Sequence, residues 1–218
     1  LSTLTSLLLA VYVFAQFDAA LAASQDVDDT QSSAIATLEK EYGYAFTQHA
    51  TWIDSLNISF HVGVDGIGVV MVLMASLVAF IATCCAGEIK VRAKEFTILL
   101  LLMTGGILGA FMSLDMFQMY FLHELALVPT FIMIGVWGRG ENRDYAAYKI
   151  TLYLSLGALI ALAGLILLYL EFETFSLLGM LERLPAQEIS AGKQNLIFAL
   201  LLFGLGILVS LWPFHTWA

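Results

Sequence analysis

The chain has 218 residues, 60% hydrophobic and only 12% charged, where a soluble domain carries about 25% charged residues. A net charge of −9, with nine Lys+Arg spread over connecting segments, excludes the basic footprint of a nucleic-acid-binding protein. Apolar runs of about 20 residues, long enough to cross a bilayer, recur along the chain, so the expected class is an all-α integral membrane protein, a polytopic bundle of about six spanning helices.

The first run, residues 1–23, ends in "AALAAS" like a signal-peptide cleavage region. It has no Lys or Arg ahead of its apolar part and carries Asp18, so a spanning helix is the expectation. Residues 24–64 form an acidic connection that includes "QDVDDT" and a helix-like "SSAIATLEKEY". Residues 65–218 hold five further spans, at about 65–86, 96–114, 116–137, 147–170 and 194–213. Asp65 in "HVGVDGIG" is expected to cap the first of these, a carboxylate at the positive end of a helix. Cys84 and Cys85 are adjacent, match no zinc spacing and are expected to be small buried residues. Asp115, in the very short turn between two spans, is expected to be solvated or interfacial. The chain starts at Leu1 and its last apolar run stops at "PFHTWA", so a piece of a longer protein, incomplete at both ends, is expected.

Charge is sorted by loop. Residues 87–95 hold Lys90, Arg92 and Lys94, and residues 138–146 hold Arg139 and Arg143, whereas 24–61 has only Lys40 against six carboxylates. Connection 171–193 has only Arg183 and Lys193 as cations. Basic loops stay in the cytoplasm, which places both acidic connections outside and runs the 116–137 span from outside to inside. Small residues let helices approach closely in lipid. Gly105 and Gly109, and Gly157 with Gly164 on one face, are the expected contact points.

The stretch "FLHELALVPTF", residues 121–131, puts His123, Glu124 and Pro129 inside an otherwise apolar span. Glu124 lies about 12 Å along its helix, near the bilayer midplane. A carboxylate there costs about 2.5 kcal/mol or more, so it must be protonated, paired or hydrated. A group balanced between desolvation and a cation takes and releases a proton as that partner moves, which makes Glu124 the expected proton-handling residue. Pro129 removes an amide donor and frees the carbonyl of Leu125. His123 neighbours Glu124 in sequence but points about 100° away on an ideal helix; a packed, hydrogen-bonded interior histidine is the first expectation, and a relay role, open to imidazoles as a class, the second. Lys149 opens the following span and can either snorkel to the surface or serve Glu124 as a cationic partner, directly or through water.

Four strings in order, "HVGVDGIGVVMVLMASLVAFIA", "FQMYFLHELALVPTFIMIGVWG", "RDYAAYKITLYLSLGAL" and "PFHTW", resemble the antiporter-like membrane subunits of respiratory complex I, the proton-pumping NADH:quinone oxidoreductase. The M-type chain, related to mitochondrial subunit 4, is the nearest likeness. The resemblance implies a membrane arm of about fourteen helices built from inverted repeats, of which this chain would supply the second through seventh, a partial Mrp-antiporter-like fold. It implies proton translocation by a non-redox subunit with no cofactor of its own, beside other membrane-arm subunits, in a bacterial inner membrane rather than a mitochondrial one. In that family a glutamate on the fifth helix pairs with a lysine on the seventh. Glu124 matches the glutamate, Lys149 matches a lysine common on the sixth helix, and His215 falls in the "H-x-W" after the seventh-helix break. The lysine position itself is Leu208, an intermediate proline is Ser210, and a Trp that commonly precedes the glutamate is His123. The expectation is that His123 or Lys149 takes over part of the missing cation's role. Two other readings stand beside this one: a subunit of a multi-subunit sodium/proton antiporter, and a structural spacer that no longer pumps.

Overall fold

The structure, a computed structural model, describes residues 2–25 and 34–218. The aspartates of "QDVDDT" and the start of "SSAIATLEKEY" lie outside the described residues. Six helices are long and apolar enough to span a bilayer: α1 (Ser2–Gln25), α3 (Gly66–Cys85), α4 (Ala93–Met112), α5 (Met116–Trp137), α6 (Arg143–Phe172) and α8 (Ala191–Leu208). Two short helices, α2 (Ala34–Glu41) and α7 (Leu177–Arg183), lie in the two acidic connections. Runs rich in Val and Ile such as "GVVMVLMASLVAFIA" are helical here because a backbone in hydrocarbon must satisfy its own polar groups within the segment. Asp65 caps α3 as expected, its carboxylate accepting from the Gly68 amide at 2.6 Å.

The acidic connection also contains two strands that the sequence reading does not include. β1 (Ala45–Ile53) pairs antiparallel with β2 (Ile58–Val64), setting His49 opposite His61 and Thr51 opposite Ser59. The sequence carries a signal for them in the alternation and the Thr, Ile, Val and aromatic content of "AFTQHATWIDSLNISFHVGV". The turn is closed by Asn57 in the left-handed region at φ 49°, a conformation that Asn tolerates.

The spanning helices pack as a row: α1 on α3, α3 on α4, α4 on α5, α5 on α6 and α6 on α8. Gly157 and Gly164 both face α8, where an added Cβ would meet Ile207 and Leu201 at 2.9 Å. On α4 the expected pair is corrected in one member. Gly105 faces open space, while Gly106 lies where a Cβ would come within 2.7 Å of the Leu122 carbonyl, and Gly109 meets the Leu122 side chain. The α4–α5 approach thus falls at Gly106 and Gly109, spaced three apart. Cys84 and Cys85 are exposed rather than buried. Large apolar side chains stand on the outer faces, Ile67 (74% exposed) and Leu152 (70%) among them, as a bilayer environment permits.

Each end of the bundle is built from a different kind of loop. At one end the hairpin, the Ser113–Asp115 turn and residues 173–183 assemble: the Leu114 amide donates to the His61 carbonyl at 2.8 Å, that of Met116 to Phe175 at 2.9 Å and that of Leu177 to Leu114 at 3.0 Å. At the other end the two basic loops meet, with the Trp137 indole donating to the Val91 carbonyl at 2.9 Å. Helix α8 stops at Leu208, short of the expected 213, where Ser210 turns left-handed at φ 59° and a short 3-10 turn, Phe214–Trp217, follows.

Candidate functional site

Helix α5 carries the site. Its start is set by Asp115, whose carboxylate accepts from the amides of Phe117 and Gln118, both at 3.0 Å. The closeness of α4 at Gly106 and Gly109 positions the turn Leu122–Ala126 within the bundle. Glu124 lies in that turn with its side chain 27% exposed, and the His123 side chain is 42% exposed. The two are brought together: His123 Nδ1 stands 3.3 Å from Glu124 Oε1. The 100° separation of their Cα–Cβ directions is overcome by side-chain rotation, so His123 is a direct partner of the carboxylate. A protonated Nδ1 donates to Glu124 across this gap. Pro129 is buried within α5, and Thr130 beside it donates to the Ala126 carbonyl at 2.9 Å rather than to Leu125.

Lys149 does not meet Glu124. Its ammonium donates to the carbonyl of Thr216, tying the start of α6 to the segment after α8. His215 lies exposed in that same segment, and the Trp217 indole fastens it to the Ile207 carbonyl at 2.9 Å. Leu208, by contrast, lies beside the candidate site. It lines a cavity of about 280 Å³ together with Tyr120 and His123 on α5 and Ala161 and Leu165 on α6. The position expected to hold a lysine therefore faces the same space as the imidazole, but with an apolar side chain.

A second polar group, at the hairpin end, escapes the sequence reading. Asp115, expected at the surface, is fully buried. Besides its helix cap it accepts from the Ser59 amide at 3.1 Å, and the Ser59 hydroxyl lies at 3.4 Å. Gln118, 1% exposed, accepts from the His61 amide at 2.9 Å. His61, itself fully buried, pairs through Nε2 with Glu39 at 2.8 Å and stands edge-on to His49 at 5.1 Å between ring centroids. Glu39 accepts in addition from Thr47 at 2.9 Å. This knot fastens the hairpin to the top of α5. The polar spacing Asp115–Gln118 is one helical turn and is readable in the sequence, but its partners lie more than fifty residues away.

Residues 113–218 match the family described as NADH:quinone oxidoreductase/Mrp antiporter, TM. The chain is 37% identical over 177 residues to NADH-quinone oxidoreductase subunit M of Rickettsia prowazekii, covering 80% of this chain and 35% of that protein. It is 31% identical over 220 residues to the subunit M of Rickettsia typhi, covering 100% of this chain and 40% of that protein. Among solved structures it resembles a chain of respiratory complex I from Thermus thermophilus with bound NADH, at a TM-score of 0.72 and 22% identity over 99% of this chain and 45% of that one. It also resembles the Mrp complex from Dietzia sp., at a TM-score of 0.66 and 17% identity over 100% of this chain and 25% of that one. The chain thus spans 35% and 40% of the length of the two Rickettsia proteins, and both structural likenesses show the antiporter-like helical fold.

Proposed function

We infer the function from this premise: the chain is an integral protein of a bacterial inner membrane and belongs to the antiporter-like membrane subunits of the NADH:quinone oxidoreductase/Mrp antiporter family. It acts as a proton-translocating membrane-arm subunit of an NADH:quinone oxidoreductase, beside other membrane subunits and without redox chemistry of its own. The observation that carries this reading is Glu124, a midspan carboxylate whose partner among the described residues is the imidazole of His123 at 3.3 Å. A carboxylate in that setting keeps its charge only while a cation or water is beside it. Motion of the His123 ring toward the cavity it lines would separate the pair and hand the proton to Glu124, and the return motion would release it. Lys149 is the inner-end cation of this path. It donates to a carbonyl and, among the described residues, forms no ion pair.

The test uses sealed membrane vesicles containing the full-length protein in its complex. With NADH as electron donor, Glu124→Gln is expected to lower the number of protons moved per electron while NADH oxidation in uncoupled membranes persists. An unchanged ratio would overturn the assignment and leave the chain a structural spacer, the role that Leu208 permits. The likeness to the Mrp complex supports a second reading, a subunit of a sodium/proton antiporter. Under that reading, proton movement would depend on sodium and would proceed without NADH.

A further inference from the structure

At the basic end of the bundle the two cationic loops frame an open cleft of about 470 Å³ between the start of α4 and the end of α5. Its charged rim is Lys90 and Arg139, and its apolar wall includes Phe96, Met133, Ile134 and Trp137. The walls are held in place: the Trp137 indole donates to Val91, Phe96 stands edge-on to Trp137 at 5.3 Å, and the Arg92 guanidinium lies 5.8 Å from the same ring. Arg92 is engaged by Glu95 and Arg143 by Asp144. Among the described residues Lys90 and Arg139 have no carboxylate within ion-pair distance, and Glu88 and Glu141 are not part of the lining. Two unneutralised cations above an apolar wall, at the level where a tryptophan marks the membrane interface, call for a ligand that is anionic at one end and apolar at the other.

We propose that this cleft binds an anionic glycerophospholipid of the inner leaflet, its phosphate between Lys90 and Arg139 and an acyl chain along Phe96, Met133 and Ile134. A soluble anion would leave the apolar wall uncovered, and a zwitterionic lipid would bring its own cation against the two already there. Basic pockets between spanning helices on the cytoplasmic side suit acidic headgroups for this reason. The site stands whether or not Glu124 carries protons.

The experiment reconstitutes the full-length protein in its complex into phosphatidylcholine vesicles. These contain a minor fraction of phosphatidylglycerol bearing a photoactivatable acyl chain, and crosslinked peptides are mapped by mass spectrometry. Crosslinks are expected within 89–96 and 133–139. Lys90→Gln with Arg139→Gln should lower their yield by about thirtyfold, as the loss of two interfacial cations implies, while Lys90→Arg with Arg139→Lys restores it and shows that the fold survives. A photoactivatable phosphatidylcholine should crosslink there weakly and equally in all variants. The proposal is overturned by any of three results: equal yield from the two lipids in the native protein, an equal loss in a Lys94→Gln, Arg143→Gln control, or full displacement by millimolar inorganic phosphate, which would mark a site for free anions.

Discussion

Two carboxylates stand nine residues apart on the same helix and live in opposite conditions. Asp115 is fully buried and accepts from the amides of Ser59, Phe117 and Gln118 at 3.0 to 3.1 Å. Glu124 is partly exposed and meets one histidine nitrogen at 3.3 Å. Fixed backbone donors leave Asp115 nowhere to go, so its charge is structural, holding the hairpin on α5. Glu124 meets a side chain rather than backbone donors, the arrangement that the proposed proton transfer uses. The difference shows that a buried, well-bonded carboxylate marks architecture, and that a half-paired one deep in a span is the better candidate for chemistry.

Substitutions can break or sharpen this contrast. On stability, Asp115→Ala is expected to cost most, about 3 kcal/mol, since it strands three amides away from water; detergent-solubilised protein should lose helical signal at correspondingly lower denaturant. A cost under about 1 kcal/mol would remove the architectural role. Glu39→Gln keeps an acceptor for His61 but removes the charge, and should cost about 1–2 kcal/mol in the same assay. Glu124→Gln should leave stability within about 1 kcal/mol while lowering proton movement, the reverse of Asp115. If both substitutions proved equally destabilising, the two carboxylates would be of one kind.

The smallest effect is expected at Tyr44 in the hairpin region. Burial, and then the Asp65 charge, push its phenol above its ordinary value of 10.0. The folded chain therefore holds this proton more tightly than the unfolded one. The associated stability is fully present below pH about 10 and declines as pH rises from there toward the folded value. Tyr44→Phe should flatten the alkaline end of a stability-versus-pH curve and leave it unchanged near neutrality.

Much of this was legible along the chain. The six spans, the Asp65 cap and the Gly157–Gly164 face follow from local pattern, and Glu124 stands out because a charge in an apolar run is costly wherever the run packs. Where a residue's setting departs from its local pattern, a distant partner is often the reason. Asp115 looks like a solvated turn residue until β2 folds over it. Gly105 and Gly106 are indistinguishable until α4 is rotated against α5. The hairpin hides in a stretch whose polar composition suggested a loop.

The sequence by itself determined that the described residues hold six helices long and apolar enough to cross a membrane, since hydrocarbon imposes both helix and span length on any sufficiently apolar run, and it sorted the basic loops from the acidic ones. Only the tertiary structure decided that His123 turns to Glu124, that Lys149 goes to Thr216 and that Leu208 faces the imidazole across a cavity. Those outcomes depend on side-chain rotation and on which helix faces meet, and close packing fixes both only when all the neighbours are present.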